Sequence, residues 1–448
     1  MLLIAVAAIT LAVLGTLSQT SRHDVQLDAG SPVATSSGHR RAERHRPGTS
    51  GGPAAAVRAP ATAAEVRLQD AVGTALRTAG PESGALVYDL DGGAPLFSDR
   101  ASVKRPPASV EKLYTTVALM RLLGPAARLH TDLLGRGHLA GGVWYGDLYL
   151  RGGGDPTFGD AAFNHNWAQG YGATASQLVS QLVRRGIRRV TGFVYADESL
   201  FDLRRGGLMT DYAPDTPDFG GQLSALTFDH GSATRRLSPA EFAAKEVVLT
   251  MEGSHIAVRA APKTASTPAG AKSLASVNSP PLSVMTRLMD VPSDDLYAEL
   301  FTKQLGVLFG GAGSISAGAA VISRTIAGSF GLHPTILDGS GLSREDRSSP
   351  LEVVDLLRDV WRTQVGRLLA ASLPTVGVEG TVQSIGVKTA AQGHCIAKTG
   401  TLNDVSNLAG YCRSRSGHML AFALLIDGPP NYTALMLESK MVAAIARY

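Results

Sequence analysis

Pro107-Ala108-Ser109-Val110-Glu111-Lys112-Leu113 reads as the opening turn of a helix. Pro106 and Pro107 forbid a helix upstream and suit the first turn of one, because proline lacks the N–H that an interior helical position needs. Leu113, Val117, Met120 and Leu123 follow at the spacing of a buried helical stripe, and Gly124-Pro125 stops it. On such a helix Ser109 and Lys112 are one turn apart on one face. A hydroxyl at the positive end of a helix, with an amine in reach, is the layout of an activated nucleophile. A solitary Ser-x-x-Lys also arises by chance, as an N-cap serine followed by a surface lysine. The reading therefore depends on the rest of the chain.

The length of 448 residues allows two or three domains. Hydrophobic residues at 44% and charged residues at 18% are ordinary for a globular protein with a sizeable core. The balance of 42 basic against 38 acidic residues, a net +4, is too small to argue for nucleic acid, and no basic-aromatic stripe accompanies it. No His/Cys cluster suggests a metal, and no cofactor is expected. Met1 to Leu17 is almost wholly apolar and resembles the core of a signal peptide or a short membrane anchor. At about 17 residues it is marginal for spanning a bilayer. Assigning residues 1–20 to this segment leaves 21–60, rich in Ser, Gly, Pro, Ala and Arg, as an expected disordered linker.

From Ala61 the chain becomes patterned. Thr62 and Glu65 form a capping-box pattern ahead of Leu68, Val72, Leu76 and Ala79, a helix that Gly80-Pro81 ends. Gly84 to Leu90 reads as a strand, Asp91-Gly92-Gly93 as a turn and Ala94 to Phe97 as the return strand. Residues 126–275 read as a separate mixed insertion. Within it, Arg151-Gly-Gly-Gly-Asp-Pro156 is a turn, since it lacks the Lys-Ser/Thr of a phosphate loop. Thr174 to Arg185 is an amphipathic helix. Arg188 to Tyr195, Gly221 to Phe228 and Val247 to Thr250 are strands, and Asp197-Glu198-Ser199 is a solvated acidic turn.

Two further stretches carry candidate chemistry. Ser293-Asp294-Asp295 opens a helix, and Lys398-Thr399-Gly400-Thr401 lies on the first arm of a strand-loop-strand. If that unit is an antiparallel hairpin centred near Asn403, Cys395 falls opposite Cys412, on the face away from Lys398. The pair is then either a cross-strand disulfide or two buried free thiols. Leu337 to Arg344 reads as a tight loop, and Ser349-Pro350-Leu351-Glu352 as a second capping box.

Ser109/Lys112, Ser293/Asp295 and Lys398/Thr399/Gly400, in this order, resemble the three active-site signatures of penicillin-recognising serine enzymes. Gly154-Asp155-Pro156-Thr157, Gly221-Gln-Leu-Ser-Ala225, Ser279-Pro-Pro281, Asp338-Gly-Ser-Gly-Leu-Ser343 and Lys398-Thr-Gly-Thr-Leu402 narrow the resemblance. Together they are similar to the low-molecular-mass class C penicillin-binding proteins, the DacB type of D-alanyl-D-alanine carboxypeptidase/endopeptidase, peptidase family S13. The likeness runs from about Val66 to Arg447. It implies an α+β fold of the β-lactamase/DD-peptidase kind: a five-stranded antiparallel sheet flanked by helices, plus a helical lobe. The catalytic domain would be 61–125 and 276–448, with the insertion between the first and second motifs.

The resemblance also implies roles. Ser109 attacks the carbonyl of the penultimate D-alanine, Lys112 takes its proton, and Ser293 passes a proton to the leaving amine. Lys398 binds the substrate carboxylate with help from Thr399 and Thr401, and Gly400 lets the substrate backbone approach. The oxyanion sits between the N–H groups of Ser109 and Thr401. The partners implied are peptidoglycan stem peptides ending in D-Ala-D-Ala, with β-lactams as covalent inhibitors, outside the cytoplasm. Asp295 departs from the pattern, which usually has Asn. A carboxylate there only accepts hydrogen bonds, favours a protonated Lys112 and repels the substrate carboxylate, unless it is itself protonated or paired with a lysine. Two other readings stay open: a β-lactamase or esterase on the same fold, and a non-catalytic peptidoglycan-binding relative disabled through Asp295.

Overall fold

The structure, a computed structural model, describes residues 61–205, 221–234, 236–258 and 263–448. The apolar segment at 1–17 and the linker expected at 21–60 lie outside the described residues. Among those described, no single helix is long and apolar enough to cross a membrane.

In chain order the first elements are α1 (Ala63–Ala79), β1 (Gly84–Asp89), β2 (Ala94–Asp99) and α2 (Lys112–Leu122). Then come β3 (His130–Ala140), β4 (Val143–Gly152), α3 (Ala161–Trp167), α4 (Ala175–Arg184), β5 (Arg189–Val190), β6 (Val194–Asp197), α5 (Pro239–Gly253), β7 (Lys263–Thr264) and β8 (Lys272–Asn278). The chain continues through α6 (Leu282–Asp290), α7 (Asp295–Leu305), α8 (Ile315–Phe330), α9 (Pro350–Trp361) and α10 (Gln364–Ser372). It ends with β9 (Cys395–Leu402), β10 (Val405–Arg413), β11 (Met419–Asp427) and α11 (Asn431–Arg447).

The first sheet is antiparallel with order β2-β1-β11-β10-β9, so the N-terminal hairpin joins the C-terminal strands across the intervening chain. Alternation along the strands sorts its two faces. Phe422, Leu424 and Leu408 meet Leu68, Val72 and Leu76 of α1 and Leu437, Met441 and Ile445 of α11. The other face is lined by Ala409, Ala421 and Ala423, small side chains that share a core with α2, α6, α7, α8, α9 and α10. This is the α+β fold of the β-lactamase/DD-peptidase kind. α7 is buried all round, from Leu296 to Leu305, as a helix through the middle of a lobe must be.

Residues 130–278 build a second, six-stranded sheet, in which β7-β6-β4-β3-β8 are neighbours and β5 adds to β4. Leu133, Trp144, Leu148, Leu178, Leu182, Val247 and Met251 form its own core. Several local expectations fail here. Val247 to Thr250 is the middle of α5, not a strand. A Ser238–Glu241 capping box starts that helix, and the stripe Ala240, Ala244, Val247 and Met251 outweighs the β preference of two valines. Gly221 to Phe228 is irregular. Ser224 donates its hydroxyl to Glu198 (2.6 Å) and accepts the Leu226 N–H (3.1 Å), bonds that compete with a strand ladder. The expected strand at Arg188 to Tyr195 is two short strands, separated where Phe193 N–H turns to Asp147 Oδ1 (2.8 Å). The Asp197-Glu198 turn is buried rather than solvated: Asp197 accepts from Ser199 and Thr267, and Glu198 accepts from the two terminal guanidinium nitrogens of Arg205.

Candidate active site

Ser109 sits in a single 3₁₀ turn, Ala108–Glu111, that runs directly into α2 at Lys112. The turn opens with Ala108 at φ +48°, a left-handed conformation that costs a non-glycine residue about 1 kcal/mol. Three contacts hold it. Asn407 Nδ2 donates to the carbonyls of Pro106 (3.0 Å) and Pro107 (2.8 Å). A Cβ on Gly341 would collide with the Ala108 carbonyl, and one on Gly400 would lie 2.5 Å from the Pro107 carbonyl. The close approach at Gly400 is thus that of the protein's own serine turn.

Lys112 is fully buried. Its amine donates to Ser109 Oγ (3.0 Å), to the Ser340 carbonyl (2.8 Å) and to Asp295 Oδ1 (2.5 Å), one acceptor for each ammonium proton. Asp295 therefore pairs with Lys112, one of the alternatives open from sequence. Burial pushes the Asp295 carboxyl above its ordinary value, and Lys112 works against the rise. The Ser340 carbonyl comes from the Asp338–Ser343 loop, which Asp338 braces by accepting the N–H groups of Gly341 (2.7 Å) and Ser343 (2.8 Å).

Ser293 precedes α7 at φ +64°, and its hydroxyl lies 2.6 Å from the buried amine of Lys398. Lys398 also donates to the Thr399 carbonyl (3.0 Å). Burial lowers Lys398 to about 7; Lys112 adds to the drop, while Asp290 and Asp295 oppose it. Asp290, beneath this pair, accepts from Thr116 and Ser372 and is raised by burial to about 6. The Thr399 hydroxyl donates to Thr381 Oγ1 (2.7 Å), and Thr401 is exposed. β9 is the edge strand, and the Ala397 N–H points away from β10 to Pro374 O (3.1 Å). Antiparallel alternation then aims the N–H groups of Thr399 and Thr401 at the same open edge.

The structure thus brings Ser109, Lys112 and Asp295 into one cluster and Ser293, Lys398 and Thr399 into another. It adds residues that sequence reasoning did not single out: Asn407, Ser340, Asp290, Asp294 and His230. Asn407 was findable, because hairpin register sets it beside Gly400. His230 carried no signal, since it is far from the motifs in sequence. Its Nε2 lies 2.7 Å from Asp294 Oδ2. Burial pushes the Asp294 carboxyl up, but the charge and hydrogen bond of His230, with the Tyr297 N–H and Lys112, hold it below the usual range. Cys395 and Cys412 form a disulfide between β9 and β10, on the sheet face away from Lys398. Among the described residues, no group of three or more His, Cys, Asp and Glu side chains is placed to hold a metal ion.

A hydroxyl bonded to a buried lysine, on a helix packed against an antiparallel sheet edge, places the chain in the β-lactamase/DD-peptidase class. It belongs to the D-Ala-D-Ala carboxypeptidase 3 (S13) family, whose model matches residues 68–256 and 221–448. A D-alanyl-D-alanine carboxypeptidase of Actinomadura sp. (strain R39) is 27% identical over 458 residues, 82% of each chain. Carboxypeptidase DacB of Mycolicibacterium smegmatis is 31% identical over 392 residues, again 82% of each. The crystal structure of penicillin binding protein 4 (dacB) from Haemophilus influenzae matches with a TM-score of 0.71 at 20% identity, covering 84% of this chain and 99% of that one.

Proposed function

We propose that the chain is a serine DD-peptidase, a D-alanyl-D-alanine carboxypeptidase/endopeptidase that cleaves peptidoglycan stem peptides through an acyl-enzyme and is acylated by β-lactams. The contact between Ser109 Oγ and the buried Lys112 amine carries this reading. A relative named D-alanyl-D-alanine carboxypeptidase and another named carboxypeptidase DacB, each similar over most of its length, support the substrate class.

Ser109 Oγ attacks the carbonyl of the penultimate D-alanine, and its proton passes to Lys112 in the neutral amine form, whose lone pair then takes the place of the proton donated to Ser109 Oγ. The developing oxyanion is met by the N–H groups of Ser109 and Thr401, the latter on the open edge of β9. Lys398 receives the terminal carboxylate of the substrate. A buried amine whose charge is disfavoured gains most from an arriving anion, and Lys398 is that amine. Ser293, between Lys398 and the reacting bond, relays a proton to the leaving D-alanine. Water then hydrolyses the ester on Ser109. Asp295 acts on this sequence by pairing with Lys112. Thr399 contributes through its backbone, because its hydroxyl is engaged by Thr381.

In this reading residues 61–125 and 276–448 form the catalytic domain and 126–275 the insertion. The insertion's separate sheet and core support that division. The chain acts outside the cytoplasm, exported through the apolar segment at 1–17, which either is cleaved or anchors it to the membrane. The Cys395–Cys412 disulfide suits an oxidising compartment. Incubation with an N-acylated peptide ending in Lys-D-Ala-D-Ala tests the reading. Release of free D-alanine by the protein, and none by Ser109→Ala, is expected; no release by the folded wild type contradicts it.

A further inference from the structure

α7 carries the second motif at its N-terminus, and side chains from the second-sheet segment grip it at both ends. At the far end the fully buried Lys303 donates to Asp202 Oδ1 (2.6 Å) and to the Arg204 carbonyl (2.7 Å). At the near end the His230 ring meets Asp294, the residue between Ser293 and Asp295. Asp294 divides its carboxylate between two tasks. Oδ1 caps α7 by accepting the Tyr297 N–H (2.9 Å), and Oδ2 takes His230 Nε2 (2.7 Å). The ring is held in turn by Tyr297 and Phe163, with centroids 5.9 and 6.4 Å away.

The backbone on both sides of this contact is left-handed. Asp229 and His230 have φ +46° and +61°, and Ser293 has φ +64°. Non-glycine residues adopt this region rarely, so surrounding contacts must hold it. The Asp294 side chain is the link between the two strained segments. Rotating it away from His230 would loosen the cap, and with it the turn that aims Ser293 Oγ at Lys398 and sets Asp295 on Lys112.

We infer that His230 is a positioning residue for acylation: through Asp294 it holds the Ser293-Asp294-Asp295 turn in the geometry that Lys398 and Lys112 require. Its Nε2 bonds Asp294, the residue between Ser293 and Asp295, so it acts on the chemistry through that turn. The role rests on the serine DD-peptidase reading. It gives the second-sheet segment a part in the reaction, since the residue that braces the second motif comes from that segment.

The test compares wild type, His230→Ala and His230→Gln, whose amide can still donate to Asp294. Two quantities are read: the second-order rate of acylation by benzylpenicillin, and amide hydrogen exchange along the chain. His230→Ala should acylate about tenfold or more slowly, because misplaced catalytic groups cost rate steeply. Its exchange should rise in the segment from Val291 to Leu300 and stay at the wild-type level in β9 to β11. His230→Gln should recover most of the rate and the protection. A fold-stabilising role alone would lower the melting temperature without changing acylation of the folded protein at 25 °C, and would overturn the inference. Unchanged exchange in Val291 to Leu300, or a Gln variant as slow as the Ala variant, would overturn it too. If the wild type is not acylated at all, the DD-peptidase reading fails, and exchange alone decides whether His230 positions the turn.

Discussion

Lys112 has three acceptors, and one of them, Asp295 Oδ1 at 2.5 Å, is a carboxylate. The ion pair ties the proposed proton acceptor to a negative charge that the family pattern replaces with an amide. Asp295→Asn keeps a hydrogen-bonding side chain of the same shape and removes the charge. It should therefore speed acylation by a β-lactam several-fold, measured as the second-order rate constant; an unchanged or slower rate contradicts this account of Asp295. At this scale the sequence was legible where chemistry is written into spacing. Ser109 and Lys112 sit one turn apart, and a lysine beside Asp295 was among the alternatives. Roles set by packing were not legible. Nothing in the sequence shows that Gly400 packs against the backbone of Pro107, Val110 and Ser109, or that the Thr399 hydroxyl turns to Thr381.

The β9–β10 hairpin is the element that carries Lys398, and its register follows from a two-residue turn at Asn403-Asp404 and a period of two. That is why Cys395 could be set opposite Cys412 from sequence alone. The resulting disulfide is fully buried and ties the edge strand to β10 three residues before Lys398. Without reductant, the unfolded protein should take up no thiol-alkylating reagent, and after reduction it should take up two equivalents. Cys395→Ser/Cys412→Ser should melt at a lower temperature, with a loss of about 2–4 kcal/mol. Two thiols labelled without reductant contradict the assignment. The elements misread from sequence share a cause. Val247 to Thr250 and Gly221 to Phe228 look like strands when read alone. A capping box that opens at Ser238 decides the first, and a side-chain bond to Glu198 decides the second.

At the scale of the whole molecule, several acids are buried with no ion pair among the described residues. Glu438, on α11, accepts only from Ser406 (3.0 Å), and burial pushes its carboxyl up to about 8 from an ordinary 4.5. The folded chain thus keeps a proton that the unfolded chain gives up between those values. This contribution to stability is complete below about 4.5 and is lost as the pH rises through about 8. Glu438→Gln should raise the melting temperature at pH 8 by several degrees and leave it nearly unchanged at pH 4. Equal effects at both pH values contradict the assignment. The architecture at this scale was legible in outline, because the order of helix, hairpin and motifs matches one fold. The second sheet was not, since β5, β6 and β7 are short and pair in parallel, and their pairing depends on contacts distant in sequence.

The central claim is that Ser109 is the acylated nucleophile. Intact mass after incubation with benzylpenicillin, beside Ser109→Ala, tests it most directly. One covalent adduct is expected on the wild type and none on the variant; an adduct on both proteins, or none on a folded wild type, would overturn the assignment of Ser109.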